Sequence, residues 1–236
     1  GTFHGDRWSE WNGRFRDDVR KFWRGEPFSR NGLATRITGS SDIYSLSGKL
    51  PHNSINFITS HDGFTLNDLV SYSRKHNRMN GEGDRDGDNN NLCLNFGPEG
   101  PSPDPELARL RLRLIKRCLA SLLLSQGVPM LLAGDEMRRT QQGNNNAWCQ
   151  DNEISWIDWG LLETNRHLYE FTSRLVSFRL NHGAFRRFSF FEGRDHNNDG
   201  RADIEWYEPD GAPLRWNEDH PALACFMSGA PEETGW

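Results

Sequence analysis

The sequence has no long apolar run. Nowhere do the roughly eighteen consecutive apolar residues of a membrane-spanning helix occur, and no segment has the order of a signal peptide. It also lacks charge of one sign. The formal net charge is -5 with both signs interspersed, so neither nucleic acid nor a membrane surface is an expected partner. Cysteine is scarce: Cys93, Cys118, Cys149 and Cys225 stand far apart with no CxxC spacing. Thiols scattered in this way read as reduced and fit a cytoplasmic protein. No His/Cys set has zinc spacing, no Ser-His-Asp set can be assembled, and no Gly-rich phosphate loop follows a strand. An initiator Met is lacking too. The chain opens "GTFHGDRWSEWNGRF", which reads as cut from a longer polypeptide.

What remains is a chain of 236 residues, long enough for one large domain or two small ones with a real core. Its hydrophobic fraction is only 35%, yet it holds nine Trp and fourteen Phe. Flat rings match the C–H face of a pyranose, so such a composition suits sugar binding. Core filling accounts for the larger share of them.

Helical spacing places Phe15, Val19, Phe22 and Trp23 on one face of "RFRDDVRKFWRGE", with Gly25 as the stop. A polar linker containing Gly32, Gly39 and "TGSSD" is expected next. The β-prone run Ile55–Thr59 follows, then Ser60-His61-Asp62-Gly63 and a helix start at "TLNDLVSYSR". Residues 75–105 have almost no periodicity and read as a long functional loop. "PELARLRLRLIKRCLASLLLSQG" is the clearest helix, between Pro105 and Gly127. "VPMLLAG" reads as a buried strand ending on Asp135-Glu136. After a second long loop comes a helix over about 165–180, packing through Leu168, Phe171, Leu175 and Phe178. A further strand at "WSEWN" is the weakest element. Alternating helices and strands imply a parallel sheet, and polar residues at strand ends followed by long loops fit the (β/α) barrel rule. From residue 184 aromatics mix with turn signals, as in a β-rich edge or a new domain.

The side chains that could carry chemistry each have a plainer reading. His61 and Asp62 stand where a glycosidase places groups that orient hydroxyls or stabilise positive charge; alternatively Asp62 caps the helix starting near Thr65. Asp135 and Glu136 could add a carboxylate, but loop-anchoring hydrogen bonds suit them better. Asp195, Asn197 and Asp199 with Gly200 resemble a calcium loop, yet Glu205 falls one position short of the closing ligand, so a polar turn is expected. The Asn triplets 89–91 and 144–146 could meet sugar hydroxyls or stabilise turns.

Taken in order, "NFITSHDGFTLNDLVSY", "KHN…NGE…RDG…NN", "LLLSQGVPMLLAGDE", "QGNNNAWCQDNEISWIDW" and "DIEWYEPDG" resemble the glycogen debranching enzyme and isoamylase branch of the α-amylase superfamily, glycoside hydrolase family 13. The resemblance runs through nearly the whole chain. It implies an α/β fold: a partial (β/α)8 TIM barrel comprising about the last three βα units in residues 1–183, then the start of a C-terminal β domain in residues 184–236. It implies retaining cleavage of α-1,6 branches in glycogen or a related α-glucan, with no cofactor and no metal. On the motif match Asp62 is the transition-state stabiliser, and His61, Asn145 and Trp148 bind substrate. Cys93-Leu94 stand where the family pattern has Ser-Trp, so the aromatic sugar contact of that pair is not carried over. The family's nucleophilic Asp and general-acid Glu come from earlier strands, and no "GFRFD"-like segment is present. Retaining hydrolysis needs two carboxylates about 5–5.5 Å apart, so this chain is expected to be silent alone, its partner being the N-terminal part of the enzyme. Two other readings are a non-catalytic α-glucan-binding accessory chain and one piece of a split enzyme.

Overall fold

A computed structural model describes residues 7–229. Strands β1 (Glu10–Asn12), β2 (Ser54–Asn56) and β3 (Val128–Pro129) pair in the order β1-β2-β3. Both pairings are parallel, with Trp11 opposite Ile55 and Ile55 opposite Val128. Parallel neighbours need crossovers, and the chain supplies helices for them. Helices α1 (Gly13–Arg24), α2 (Arg30–Ile37) and α3 (Ser41–Tyr44) lie between β1 and β2, and α4 (Leu66–Leu69) and α5 (Pro105–Leu123) between β2 and β3. Helices α6 (Gly160–Thr164) and α7 (Arg166–Asn181) precede an antiparallel pair, β4 (Ile204–Tyr207) and β5 (Ala224–Met227). The chain condenses into two compact units. One takes in the described residues up to Asn56, Ser121–Met130 and the described residues from Leu175 onward. The other is Phe57–Ala120 with Leu131–Arg174.

In the first unit α1 forms where the apolar spacing predicts. Phe15, Val19 and Phe22 are buried, the Asn12 side chain caps the helix by accepting from the Phe15 amide at 2.9 Å, and Gly25 ends it in the left-handed region at φ 77°. The strands are tied together by polar side chains. Asn12 Nδ2 donates to Ser40 Oγ and Ser54 Oγ, each at 2.9 Å, Ser54 Oγ donates to Asn56 Oδ1, and Asn56 Nδ2 reaches the Gln126 carbonyl. The expected linker after Gly25 is helical instead. Its buried face is partly made of arginine, so apolar periodicity does not reveal it. Arg30 pairs with Glu208 at 3.0 Å and donates to the carbonyls of Arg215 and Glu218, and Arg36 sits between Asp18 and Asp42. The expected strand "VPMLLAG" is a strand only over Val128–Pro129, and Val128 is exposed. Among the described residues β3 pairs on one side, and Pro129 has no N–H to extend a ladder.

The second unit packs Phe57, Ile58, Phe64, Leu66 and Leu69 in the same core that holds Leu114, Ile115, Cys118 and Leu119 of α5. Here the helix expected after Thr65 is a single turn, and the hydrogen bonds explain why. The carbonyls of Leu69 and Ser71 accept from the amides of Leu94 and Gly100, and the Ser73 amide donates to Glu99. The groups that would propagate the helix are spent on the long loop. No helix among the described residues is long and apolar enough to cross a membrane. All four cysteines are free thiols.

Candidate functional site

The second unit carries the turn that the sequence singled out. Thr59, Phe64 and Thr65 are buried, so the segment enters and leaves through the core. Between them His61 and Asp62 project outward, their side chains 69% and 79% exposed and His61 Nε2 3.4 Å from Asp62 Oδ2. The N-cap of α4 is Thr65, whose hydroxyl accepts from the Asp68 amide at 3.2 Å. Asp62 therefore does not cap this helix, and its carboxylate faces solvent beside the imidazole.

Two buried residues, Asp135 and Asn145, hold this turn, and a third, Asp68, holds residues 140–143. Asp135, 1% exposed, accepts from the Thr59 hydroxyl and, at 2.8 Å, from the Leu66 amide. Burial raises its pKa, the bonds from Thr59 and Leu66 lower it, and nearby Glu136 and Asp68 raise it further, to about 7. Asp68 takes the Thr140 hydroxyl and the amides of Gln141 and Gly143, at 2.7 and 3.2 Å. Its burial outweighs those bonds, so its pKa is also raised. Asn145, 1% exposed, accepts from the Gly63 amide at 2.9 Å through its carbonyl. Its side-chain amide donates to Asp88 O and Asn91 Oδ1 and accepts from Asn77 Nδ2. The Asn145 side chain is thus engaged inside the protein. Trp148 lies three residues further on in the short turn Ala147–Cys149, 84% exposed.

The long loop is ordered by its own polar side chains together with Asn145 and Asn146. Asn77 and Asn145 exchange bonds at 2.9 and 3.0 Å, and Asp86 gathers Asn80 and Asn146 at 2.7 and 2.9 Å. Gly87 lies so close that a Cβ there would meet Asn145 Oδ1 at 2.3 Å, and its φ is 73°. Glu99 closes the loop. Burial alone would raise its pKa, but bonds from His76, from the Ser73 hydroxyl and from the amides of Ser73 and Arg74 bring it to about 2. Thus Asn144–Asn146 and Asn91 stabilise turns, while Asn89 and Asn90 are exposed. Sequence reasoning missed Asn77 and Asp68. Thr65-Leu66-Asn67-Asp68 has the spacing of a helix capping box, which conceals that the Asp68 carboxylate serves residues 140–143. In the first unit, Asp195 accepts from the amides of Asn197, Asp199 and Gly200, a polar turn. Among the described residues no group of three or more His, Cys, Asp or Glu is placed to hold a metal.

No family model matches the chain. Individual relatives do. It is 48% identical over its full length to the glycogen operon protein GlgX homolog of Mycobacterium tuberculosis, covering 34% of that protein. It is 44% identical to the glycogen debranching enzyme of Serratia proteamaculans, over 97% of this chain and 34% of the relative. In sequence the chain is thus similar to one part of the glycogen debranching enzymes. It spans about a third of the length of these relatives. Among solved structures, pullulanase from Bacillus acidopullulyticus superposes with a TM-score of 0.59 at 19% identity, over 93% of this chain and 29% of the pullulanase. Pullulanase from Paenibacillus barengoltzii, in complex with maltohexaose and alpha-cyclodextrin, gives a TM-score of 0.58 at 21% identity, over 79% and 28%. The chain therefore shares the fold of one part of each pullulanase.

Proposed function

We propose that this chain carries the part of an α-glucan hydrolase centre that stabilises the transition state, in an enzyme cleaving α-1,6 branches of glycogen or a related glucan. The observation that carries this reading is the exposed His61–Asp62 pair on a turn that Asp135 ties at Thr59 and Leu66 and Asn145 ties at Gly63. Cleavage of a glycosidic bond passes through an oxocarbenium-like state. Asp62, its side chain open to solvent, would orient sugar hydroxyls and favour that positive charge. His61 would donate to a hydroxyl of the same sugar, and the exposed Trp148 ring would stack on a pyranose face. Asn145 enters through the loop it fixes. In this reading residues 1–183 form about the last three βα units of a (β/α)8 barrel and residues 184–236 begin a β-rich domain, the protein working in the cytoplasm. Nucleophile and general acid would come from the N-terminal part of the enzyme, so the chain alone binds glucan without cleaving it.

Isothermal titration of the purified chain with maltohexaose and with a branched limit dextrin tests this. Saturable binding is expected, at least tenfold weaker after Asp62→Ala or Trp148→Ala, with no release of reducing ends. No binding by the wild-type chain, or equal binding by both variants, refutes the glucan reading. Steady turnover by the wild-type chain refutes the division of labour.

A further inference from the structure

We propose that Asp135 is a positioning residue for the His61–Asp62 turn: one buried carboxyl grips both ends of the turn and sets the direction in which its two exposed side chains meet sugar. The inference rests on the glucan reading of His61 and Asp62. It goes beyond that reading by assigning their orientation to a residue far away in sequence that touches no solvent.

The geometry is specific. Thr59 is the last residue before the turn and Leu66 the first residue of α4, and the two oxygens of Asp135 take one each. The intervening segment 60–65 has a further tie, from the Gly63 amide to the Asn145 carbonyl. A turn fixed at entry, middle and exit has little freedom left, while His61 and Asp62 themselves stay open to solvent. Asp135 is itself held on a short helical turn, Asp135–Met137, at the end of the segment that follows β3. The groups acting on it are Thr59 and Leu66 by hydrogen bond and Glu136 and Asp68 by charge. Among the described residues no ion pair is made by Asp135, so a buried carboxyl is kept here for its two hydrogen bonds.

The isosteric pair of variants Asp135→Asn and Asp135→Leu separates positioning from bulk. Asparagine keeps an oxygen for the Leu66 amide and gives an N–H to the Thr59 hydroxyl, whereas leucine fills the space and does neither. Maltohexaose affinity is expected within about twofold of wild type for Asp135→Asn and weakened about tenfold for Asp135→Leu, the equivalent of one or two lost hydrogen bonds. Exchange of the Leu66 amide should stay slow in the first variant and accelerate at least tenfold in the second, and the His61 ring resonances should move only in the second. Leu119→Ala, in the core of the same unit, serves as the stability control and should leave the affinity unchanged. Wild-type affinity in a folded Asp135→Leu variant overturns the proposal, as does equal weakening by Asp135→Asn. If the leucine variant does not fold, Thr59→Val removes one grip alone. It should weaken binding threefold or more, and unchanged affinity overturns the proposal. A wild-type chain that binds no glucan refutes the functional reading, and Leu66 exchange with the His61 resonances then decides the positioning role separately.

Discussion

Replacing Asp135 by asparagine should stabilise the protein at neutral and alkaline pH and do nothing of the kind in acid. Unfolded, this carboxyl ionises near its ordinary value of 3.8; folded, burial holds its proton up to about 7. Between those values the folded state binds a proton that the unfolded state has lost. Wild-type stability therefore falls as pH rises from about 4 to about 7, and above 7 this group adds no further slope. A rise of about three pKa units corresponds to roughly 4 kcal/mol. That figure is an upper bound, because a relaxing site or an admitted water would reduce it. Asparagine has the shape and hydrogen-bonding pattern of the protonated acid and cannot ionise. Urea unfolding of both proteins, followed by Trp fluorescence at several pH values from 4 to 8.5, reads the effect, since titrating groups that do not interact with Asp135 cancel in the difference. The expected difference is near zero or slightly unfavourable to asparagine at pH 4, and favours it by 2–4 kcal/mol at pH 8 (roughly the upper half of that bound). A difference independent of pH, or one that turns against asparagine as pH rises, would show that the carboxylate is stabilised in place, and the burial argument would fail.

Glu99 should behave in the opposite sense. Its pKa is depressed from 4.5 to about 2, so the stability it lends the long loop is complete above about 4.5 and lost as pH falls toward 2. Glu99→Gln should speed exchange of the Ser73 and Arg74 amides at pH 7 and lose that effect in acid; exchange that is equally fast at both pH values contradicts this. Gly87→Ala combines a φ of 73° with a Cβ 2.3 Å from Asn145 Oδ1, and should cost about 2 kcal/mol in urea unfolding. A loss below about 0.5 kcal/mol would mean that the loop simply moves aside. Arg30→Met leaves Glu208 buried without its cation and abandons the carbonyls of Arg215 and Glu218, a loss of about 3–5 kcal/mol. Restoration of stability in Arg30→Met/Glu208→Leu would identify the stranded charge as the cause, and additive losses would exclude it.

What the sequence made legible depended on whether burial was apolar. The helix α1 and the long helix α5 announce themselves because Phe15, Val19 and Phe22, or Leu114, Ile115 and Leu119, recur at helical spacing. Helix α2 is hidden because Arg30 and Arg36 occupy its buried face, and whether an arginine finds Glu208 at a separation of 178 residues cannot be read from local pattern. The same limit applies to the candidate site. His61 and Asp62 are visible as a polar pair at the end of an apolar run. The groups that hold them, Asp135 and Asn145, lie more than seventy residues away, joined by hydrogen bonds that no periodicity records. A single helical turn at α4 was likewise out of reach, because the acceptors that would lengthen it are claimed by Leu94 and Gly100.

The distribution of burial around the turn has a consequence for how such a site can evolve or be altered. Exposed side chains such as Asp62 and Trp148 can be replaced at little cost to stability, because they leave no unsatisfied group behind. Asp135, Asp68 and Asn145 cannot be truncated so cheaply, since a side chain without their hydrogen-bonding groups strands partners that are already cut off from water. Chemistry at the surface and stability beneath it are thus carried by different residues, linked through three short runs of backbone. Asp135 opposes folding near neutral pH, because burial disfavours its charge there. A group retained at that cost, gripping both ends of the turn that presents His61 and Asp62 to solvent, is better explained by what it orients than by what it stabilises.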